Sequence, residues 1–294
     1  MAEQIVEKTD KFNFERTIPT FSDAGQLRFA RKRSVESPEG FFFHLNNHTE
    51  IYIFFDGDAK FIVENNIYEL TRGDIVLINP REVHKVLLAG KCVYERAYLL
   101  ISPHTFDAME IDPIAAISSR LPGESNLLSL PDEKKAQEFR LIESIELSLK
   151  NGDKLKAFAY SLLFLDLIRE GLADQNPARG VRSAGTPELL KEIFDYVSTN
   201  AATIGSIGEI AKAVGRTPQY ISGYFSAETG TTLQKYIQAK RIALAKDMLD
   251  KGADVTRVCY DCGFNDCSYF IKVFRNYVGV TPFRYKGGVR GEHR

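Results

Sequence analysis

Three cysteines near the end of the chain, Cys259, Cys262 and Cys267, stand in a C-x2-C-x4-C spacing of the kind that holds zinc through thiolates. No fourth ligand lies beside them. Cys259 and Cys262 also fall on the apolar side of a short helical pattern, where free cysteine acts as a small hydrophobe. No metal is assigned to them, and Cys267, at a helix start that activates thiols, is the one read as open to oxidation. Ser268, Ile271, Lys272 and Arg275 follow at the three- and four-residue steps of one helix face, opposite a stripe of Phe270, Phe274 and Tyr277. Two cations, a hydroxyl and a branched apolar group can meet phosphates, guanine edges and a thymine methyl in a DNA groove. Earlier in the chain by 49 residues the same positions hold Gln219, Ser222, Gly223 and Ser226. Glutamine can bond adenine bidentately. These eight residues, with Cys267, form the candidate DNA-facing set.

The elements that must position them repeat. Tyr220, Phe225, Gly230 and Tyr236 recur as Tyr269, Phe274, Gly279 and Tyr285 at a constant offset of 49. Each copy opens with a short helix whose start, Ser206 or Asp254, lies nine residues before a glycine, Gly215 or Gly263. Ser206 with Glu209 reads as a capping box. Thr217-Pro218 starts the second helix of the first copy, and Asn265 or Asp266 starts that of the second. The two glycines fit turns that need positive φ. Helix, glycine turn, helix is the arrangement that lays its second helix in the DNA major groove. Between the copies, residues 233–250 form one uninterrupted helical pattern of about 27 Å, suited to holding two reading heads near the ~34 Å repeat of major-groove faces.

The rest of the chain is a different module. At 294 residues with 44% hydrophobic and 26% charged residues, the composition is that of a globular protein of about two domains. Net charge is −1, but residues 186–294 carry 15 Lys and Arg against 11 Asp and Glu, leaving 23 basic and 28 acidic residues in 1–185. A cationic end on an acidic partner is a nucleic-acid signal. No apolar run reaches the ~18 residues of a membrane span, and the N-terminus has no signal-peptide pattern, so a cytoplasmic location is expected. Four cysteines make no disulfide framework. From Gly40 to Leu88, short runs at Phe41–Phe43, Ile51–Phe55, Lys60–Val63 and Ile75–Ile78 alternate with turn residues, as in a β-sandwich or barrel. Leu27–Arg33 and Val93–Ser102 add strands. Past Pro131, residues 132–150 and 155–172 take a helical period, the second apolar around much of its circumference. That pair suits packing on the β domain, a dimer contact, or both. Residues 174–185 are polar, aperiodic and linker-like.

The C-terminal pattern, including IGEIAKAVGRTPQYISGYF and VCYDCGFNDCSYFIKVFRNYVGVTPFRYK, resembles the DNA-binding domain of the AraC/XylS family of bacterial transcription regulators. Family members often carry a longer polar or basic side chain where Gly223 stands, which shifts the expected binding energy toward the second head. The stretches FHLNNHTEIYIFFDG, YELTRGDIVLINP and REVHKV resemble the cupin-like barrel that precedes this domain in many such regulators. Metal-binding cupins use His-x-His-x3-Glu and a distant His, and the aligned positions here are His44, Asn46, Glu50 and His84. Asn46 replaces an imidazole, the better divalent-metal ligand, and His48 has the wrong spacing to stand in. The resemblance therefore implies no metal and no cofactor. His44, Asn46, Glu50, Tyr52 and His84 become an effector-binding set for a small polar ligand, with a sugar the class suggested.

The expected fold is α+β multidomain. Residues 1–173 form a cupin-like sensing and dimerising domain (barrel about 20–110, helices about 132–172), and 174–185 the linker. Residues 186–287 form an all-α domain of two helix-turn-helix units joined by a long helix, with a basic tail at 288–294. The expected function is a ligand-responsive, sequence-specific DNA-binding regulator and not an enzyme. Its expected partners are double-stranded DNA, a second copy of the chain and RNA polymerase, with no membrane. The alternative is a metal-dependent cupin enzyme with an accessory helical domain.

Overall fold

The computed structural model describes residues 13–18, 26–174 and 185–288. Most of the expected linker, the basic tail beyond Gly288 and parts of the first 25 residues lie outside the described residues. In the N-terminal half the strands are β1 (Phe14–Ile18), β2 (Leu27–Glu36), β3 (Thr49–Asp56), β4 (Ala59–Val63), β5 (Asn66–Glu69), β6 (Asp74–Ile78), β7 (His84–Leu88), β8 (Cys92–Ile101) and β9 (Leu127–Ser129). They pair antiparallel into two sheets, one in the order β1-β2-β8-β3-β6-β9 and one in the order β5-β4-β7.

Alternation along β3 sends its side chains to two different cores. Tyr52 and Phe54 join Phe61, Tyr68, Val76 and Tyr94 between the sheets. Ile51, Ile53 and Phe55 face outward, where helix α2 (Asp132–Lys150) and helix α3 (Lys154–Asp174) cover them through Ile142, Ile145, Leu165 and Ile168. Both faces of the strand are buried, so its sequence reads as a continuous apolar run. A short helix, α1 (Ala115–Ser118), precedes that pair.

Phe41–Phe43, read as a strand from composition, is irregular. It follows a 3-10 turn at Pro38–Gly40, and only His44 pairs, with His84. The aromatics there serve other contacts: Phe43 is buried among the C-terminal helices, while Phe42 stands exposed. Strands β1, β5 and β9 carry no strong sequence signal, since they are short and flanked by polar residues.

The C-terminal half begins with helix α4 (Glu188–Asn200). The first helix-turn-helix unit is α5 (Ile207–Ala213) and α6 (Pro218–Thr229); the second is α8 (Val255–Asp261) and α9 (Cys267–Val278). Helix α7 (Leu233–Asp250) joins them, and α10 (Pro282–Lys286) closes the chain. Caps fix the starts: Thr217 accepts from the Tyr220 amide, Asp254 from the Thr256 and Arg257 amides, and Asp266 from the Tyr269 amide. Ser206 departs from the expected capping box. Its hydroxyl makes no cap bond and instead lies 3.5 Å from Glu209 Oε1, while Glu209 Oε2 accepts from the Gly205 amide at 3.3 Å.

Gly215 and Gly263 both adopt positive φ, 65° and 83°, as the spacing requires. Their surroundings differ. A Cβ on Gly215 meets nothing within 4 Å, whereas one on Gly263 falls 2.2 Å from the Ala202 carbonyl oxygen. Gly215→Ala should therefore cost only the left-handed backbone penalty, ~1–2 kcal/mol. Gly263→Ala adds an overpacking clash of about 1–3 kcal/mol. Chemical denaturation of the two variants checks the order; equal losses would contradict it.

Candidate nucleic-acid interface and sensor cluster

Helix α9 is two-faced. Phe270 and Phe274 are fully buried and Tyr277 half-buried, while Ser268, Ile271, Lys272 and Arg275 are exposed. The inward aromatics pack in sequence, Phe264 on Phe270, Phe270 on Phe274 and Phe274 on Tyr285, with ring centroids 5.1, 5.7 and 5.6 Å apart. A helix so locked by one face holds the other in a fixed orientation, which side-chain readout of a groove needs. Cys267 is half-buried at the helix start. Cys259 and Cys262 lie in the core with their thiols pushed up to about 12 by burial, which keeps them protonated and inert.

Helix α6 presents a leaner face. Gln219 and Gly223 are exposed, Ser222 and Ser226 half-buried. The Ser222 hydroxyl bonds the Pro218 carbonyl at 2.8 Å, so its own helix engages it. Beside Gly223 is open space: a Cβ there meets nothing within 4 Å. Two residues on this surface were not picked out from sequence. Tyr220 and Tyr269, seen there only as repeat landmarks, are 52% and 49% exposed at the first turn of each second helix. Their matched positions in the repeat were the signal available.

In the barrel, the structure brings together His44, Asn46, Glu50 and His84. A nitrogen of each imidazole and a carboxylate oxygen of Glu50 lie within 4.8 Å of one another, and the two rings are 4.1 Å apart between centroids. The Asn46 amide donates to Glu50 Oε2 at 2.5 Å. Nδ1 of His44 lies 3.0 Å from the Phe42 carbonyl, and Nδ1 of His84 2.8 Å from the Glu82 carbonyl. Burial alone would raise the Glu50 carboxyl, but His84 beside it, with His44 and His48 further out, holds it below the usual carboxylate range. Burial would likewise lower His84, yet Glu50 and Glu82 bring it above the usual imidazole value. Tyr52 does not join this cluster. Its hydroxyl is 2.5 Å from the Tyr94 hydroxyl, deep between the sheets. His48 stands outside the three-residue group as well. Clefts of about 330 Å³ beside Glu15 and Arg28 and about 710 Å³ beside Tyr196 and Val214 share no residue with the cluster.

The segments that carry the cluster also hold the C-terminal helices. Phe43, Leu45, Ile62, Ile67 and Val83 are buried in the same core as Phe194, Phe225, Tyr236 and Phe274, with Phe43 and Tyr236 rings 4.9 Å apart. Polar contacts ring this core. Arg81 bonds Asp247 at 2.7 Å and Asp250 at 2.5 Å, and Lys246 Nζ donates to the Asn46 carbonyl at 3.1 Å. Lys85, fully buried and pulled down to about 8 by burial and by Lys235, donates to the Thr229 carbonyl at 2.6 Å, in the last turn of α6. Glu64 pairs with Lys240 and accepts from the Val83 amide. Glu64 and Arg81 both have positive φ, 53° and 77°, a conformation that costs roughly 1–3 kcal/mol in a non-glycine residue and persists only where surroundings enforce it.

Lys240→Met, which leaves Glu64 buried without its cation, should lower the unfolding free energy by about 3 kcal/mol. The double variant Glu64→Gln/Lys240→Met should recover most of that loss. Denaturant titrations that find the single and double variants equally destabilised would show that the two residues are not coupled.

Residues 36–144 match the model of the AraC-like ligand binding domain, and residues 210–287 that of a helix-turn-helix domain. The Melibiose operon regulatory protein of Escherichia coli (strain K12) is 22% identical over 254 residues, 83% of this chain and 82% of that protein. HTH-type transcriptional activator RhaR of Enterobacter sp. (strain 638) is 23% identical over 276 residues, 90% of this chain and 93% of that one. Transcriptional activator RhrA of Rhizobium meliloti (strain 1021) reaches 39% over 80 residues, which span 26% of this chain and 25% of that protein. Among solved structures, ToxT from Vibrio cholerae O395 aligns over 92% of this chain and 100% of its own at 17% identity and a TM-score of 0.37. The chain belongs to the AraC family of transcription regulators, a ligand-binding barrel followed by a helix-turn-helix domain that binds DNA.

Proposed function

We propose that residues 1–173 sense a small polar effector and dimerise, that 174–185 link, and that 186–287 read DNA, with 288–294 a basic tail. The DNA-facing residues are Gln219, Ser222, Gly223, Ser226, Cys267, Ser268, Ile271, Lys272 and Arg275. The observation that carries this reading is the split of α9 into a buried aromatic face and an exposed cationic one, at the position where α6 offers only one long polar side chain. The second head then supplies more of the electrostatic binding energy and the first more of the base preference.

The effector reading rests on His44, Asn46, Glu50 and His84, with Tyr52 behind them as a packing residue. A carbohydrate effector is supported by the printed name of the melibiose relative and by the convergence of hydrogen-bonding groups. An enzyme reading is not favoured, because the relatives are regulators. A homodimer is supported by Leu147, Leu155 and Leu163, which stand 60%, 75% and 53% exposed on α2 and α3 although both helices otherwise bury their apolar residues on the sheet. RNA polymerase is a further partner for a regulator of this family, acting in the cytoplasm. Among the described residues no helix is long and apolar enough to cross a membrane. Effector binding acts by favouring one arrangement of barrel and helices, and can shift the balance only by its differential affinity for the two.

Fluorescence anisotropy of the full chain on operator DNA, across a salt series, tests the DNA reading. Lys272→Ala and Arg275→Ala should each reduce the slope of log affinity against log salt by about one. Gln219→Ala should leave the slope and relax base preference by ~1–3 kcal/mol. Unchanged slopes in both cation variants would overturn the assignment. For the effector, a thermal-shift screen across sugars should raise the wild-type midpoint and leave Glu50→Gln unmoved. A wild-type chain that binds operator DNA yet responds to no sugar would remove the carbohydrate class alone.

A further inference from the structure

The repeat sets four tyrosines at matched positions, and only two of them direct the hydroxyl hydrogen into the protein. Tyr236 donates to the Glu64 carbonyl at 3.4 Å, and its mate Tyr285 donates to Asp250 at 3.1 Å. Among the described residues, Tyr220 and Tyr269 donate to no protein acceptor. Both are the third residue of their helix, where the cap side chain accepts from the tyrosine's own amide, Thr217 for Tyr220 and Asp266 for Tyr269. Both stand half exposed, and both rings are held in place. The Tyr269 ring lies 6.4 Å from that of Phe264, and its hydroxyl accepts from Gln238 Nε2 of α7 at 2.6 Å. A phenol oxygen that accepts on that side keeps its hydrogen for an acceptor elsewhere. Tyr220 stacks on Tyr224, one turn further along, with centroids 6.1 Å apart and ring planes 3° from parallel.

With α6 and α9 as the DNA-facing helices, the reading on which this rests, we propose that the Tyr220 and Tyr269 hydroxyls donate to DNA phosphates, one on the groove wall beside each helix. Successive residues on an α-helix are turned by about 100°. Tyr220 follows Gln219 and Tyr269 follows Ser268, so each tyrosine stands to one side of the exposed face. When that face points at base edges, its flank meets the sugar-phosphate backbone, whose oxygens accept bonds from tyrosine as from other polar side chains. Recognition helices touch DNA through their N-terminal residues, and both tyrosines lie in the first turn. Gln238 belongs to the helix that joins the two heads, so one rigid element sets their spacing and the aim of the Tyr269 donor. A phenol carries no charge. Its bond therefore adds affinity on any sequence without the counterion release that Lys272 and Arg275 bring. The two tyrosines are positioning residues, matched across the repeat where the cationic side chains are not.

The experiment is fluorescence anisotropy of the full-length chain on two duplexes, one selected from a random pool by the wild type and one of the same composition in shuffled order, each across a salt series. Tyr220→Phe and Tyr269→Phe keep the rings. Each should lower affinity for both duplexes by about three- to tenfold, with the salt slope and circular dichroism of the wild type. No loss, a loss confined to the selected duplex, or a reduced slope would each overturn the proposal. A second arm leaves the wild-type protein intact and replaces single phosphates of the selected duplex by uncharged methylphosphonates. Beside each half-site, one such replacement should bring wild type and the matching tyrosine variant to equal affinity, because the charged acceptor is gone. A scan with no such position would also overturn it. Lys272→Ala and Arg275→Ala on the same duplexes separate the two failures. If they lower the slope while the tyrosine variants change nothing, the phosphate donors alone are lost; if no variant changes anything, the DNA-facing reading falls with them.

Discussion

The barrel and the reading heads are held in one piece by the burial of Phe43 against Tyr236 and the polar contacts that surround it. The position of α7 is thereby set by the same backbone that carries His44 and His84. Glu64 shows how tightly the joint is specified. Its backbone has positive φ, its carboxylate meets both Lys240 and the Val83 amide, and its carbonyl accepts from Tyr236 at 3.4 Å. Strain of this kind at a contact between two domains is sustained only by many neighbours acting together.

The duplication inside the helical domain is used twice. Matched positions build two similar heads, and matched tyrosines build the joint. Tyr236 reaches the Glu64 carbonyl, and its repeat mate Tyr285 lies 3.5 Å from Asn47 Oδ1 and 3.1 Å from Asp250. The copies have diverged on the surface that faces outward. Lys272 and Arg275 have no cationic counterpart in α6, where Gly223 leaves open space and the Ser222 hydroxyl is turned to its own helix. The two second helices therefore share a backbone arrangement but present different side chains to solvent.

The cluster of His44, Asn46, Glu50 and His84 lies beside this joint. Its members sit on β3, on β7 and on the irregular segment before β3, and the last two make contacts with the helical half. Helices α2 and α3 cover the opposite face of the large sheet, among Ile51, Ile53 and Leu99. The 44–47 and 81–85 segments thus join the cluster to the helical half through packed side chains and ion pairs.

Much of this was legible in the residues themselves. Helical period, caps and the constant 49-residue offset located both helix-turn-helix units, and the limits of α2 and α7 coincide with those read from periodicity. Local signals suffice there because a helix closes its hydrogen bonds within a few residues. Composition misread Phe41–Phe43, since aromatics packed against a distant helix look the same in sequence as aromatics in a strand. Alternation put Tyr52 on the ligand side with Glu50, but could not show that the Tyr94 hydroxyl, far along the chain, would be its partner. The joint between the halves was invisible for the same reason. Arg81 and Asp247, or Glu64 and Lys240, are ordinary charged residues until folding brings them together, and burial gives such a pair its importance only once water is excluded from it. The amino-acid order thus fixed the repeated elements and their faces, and tertiary packing alone decided which distant side chains meet.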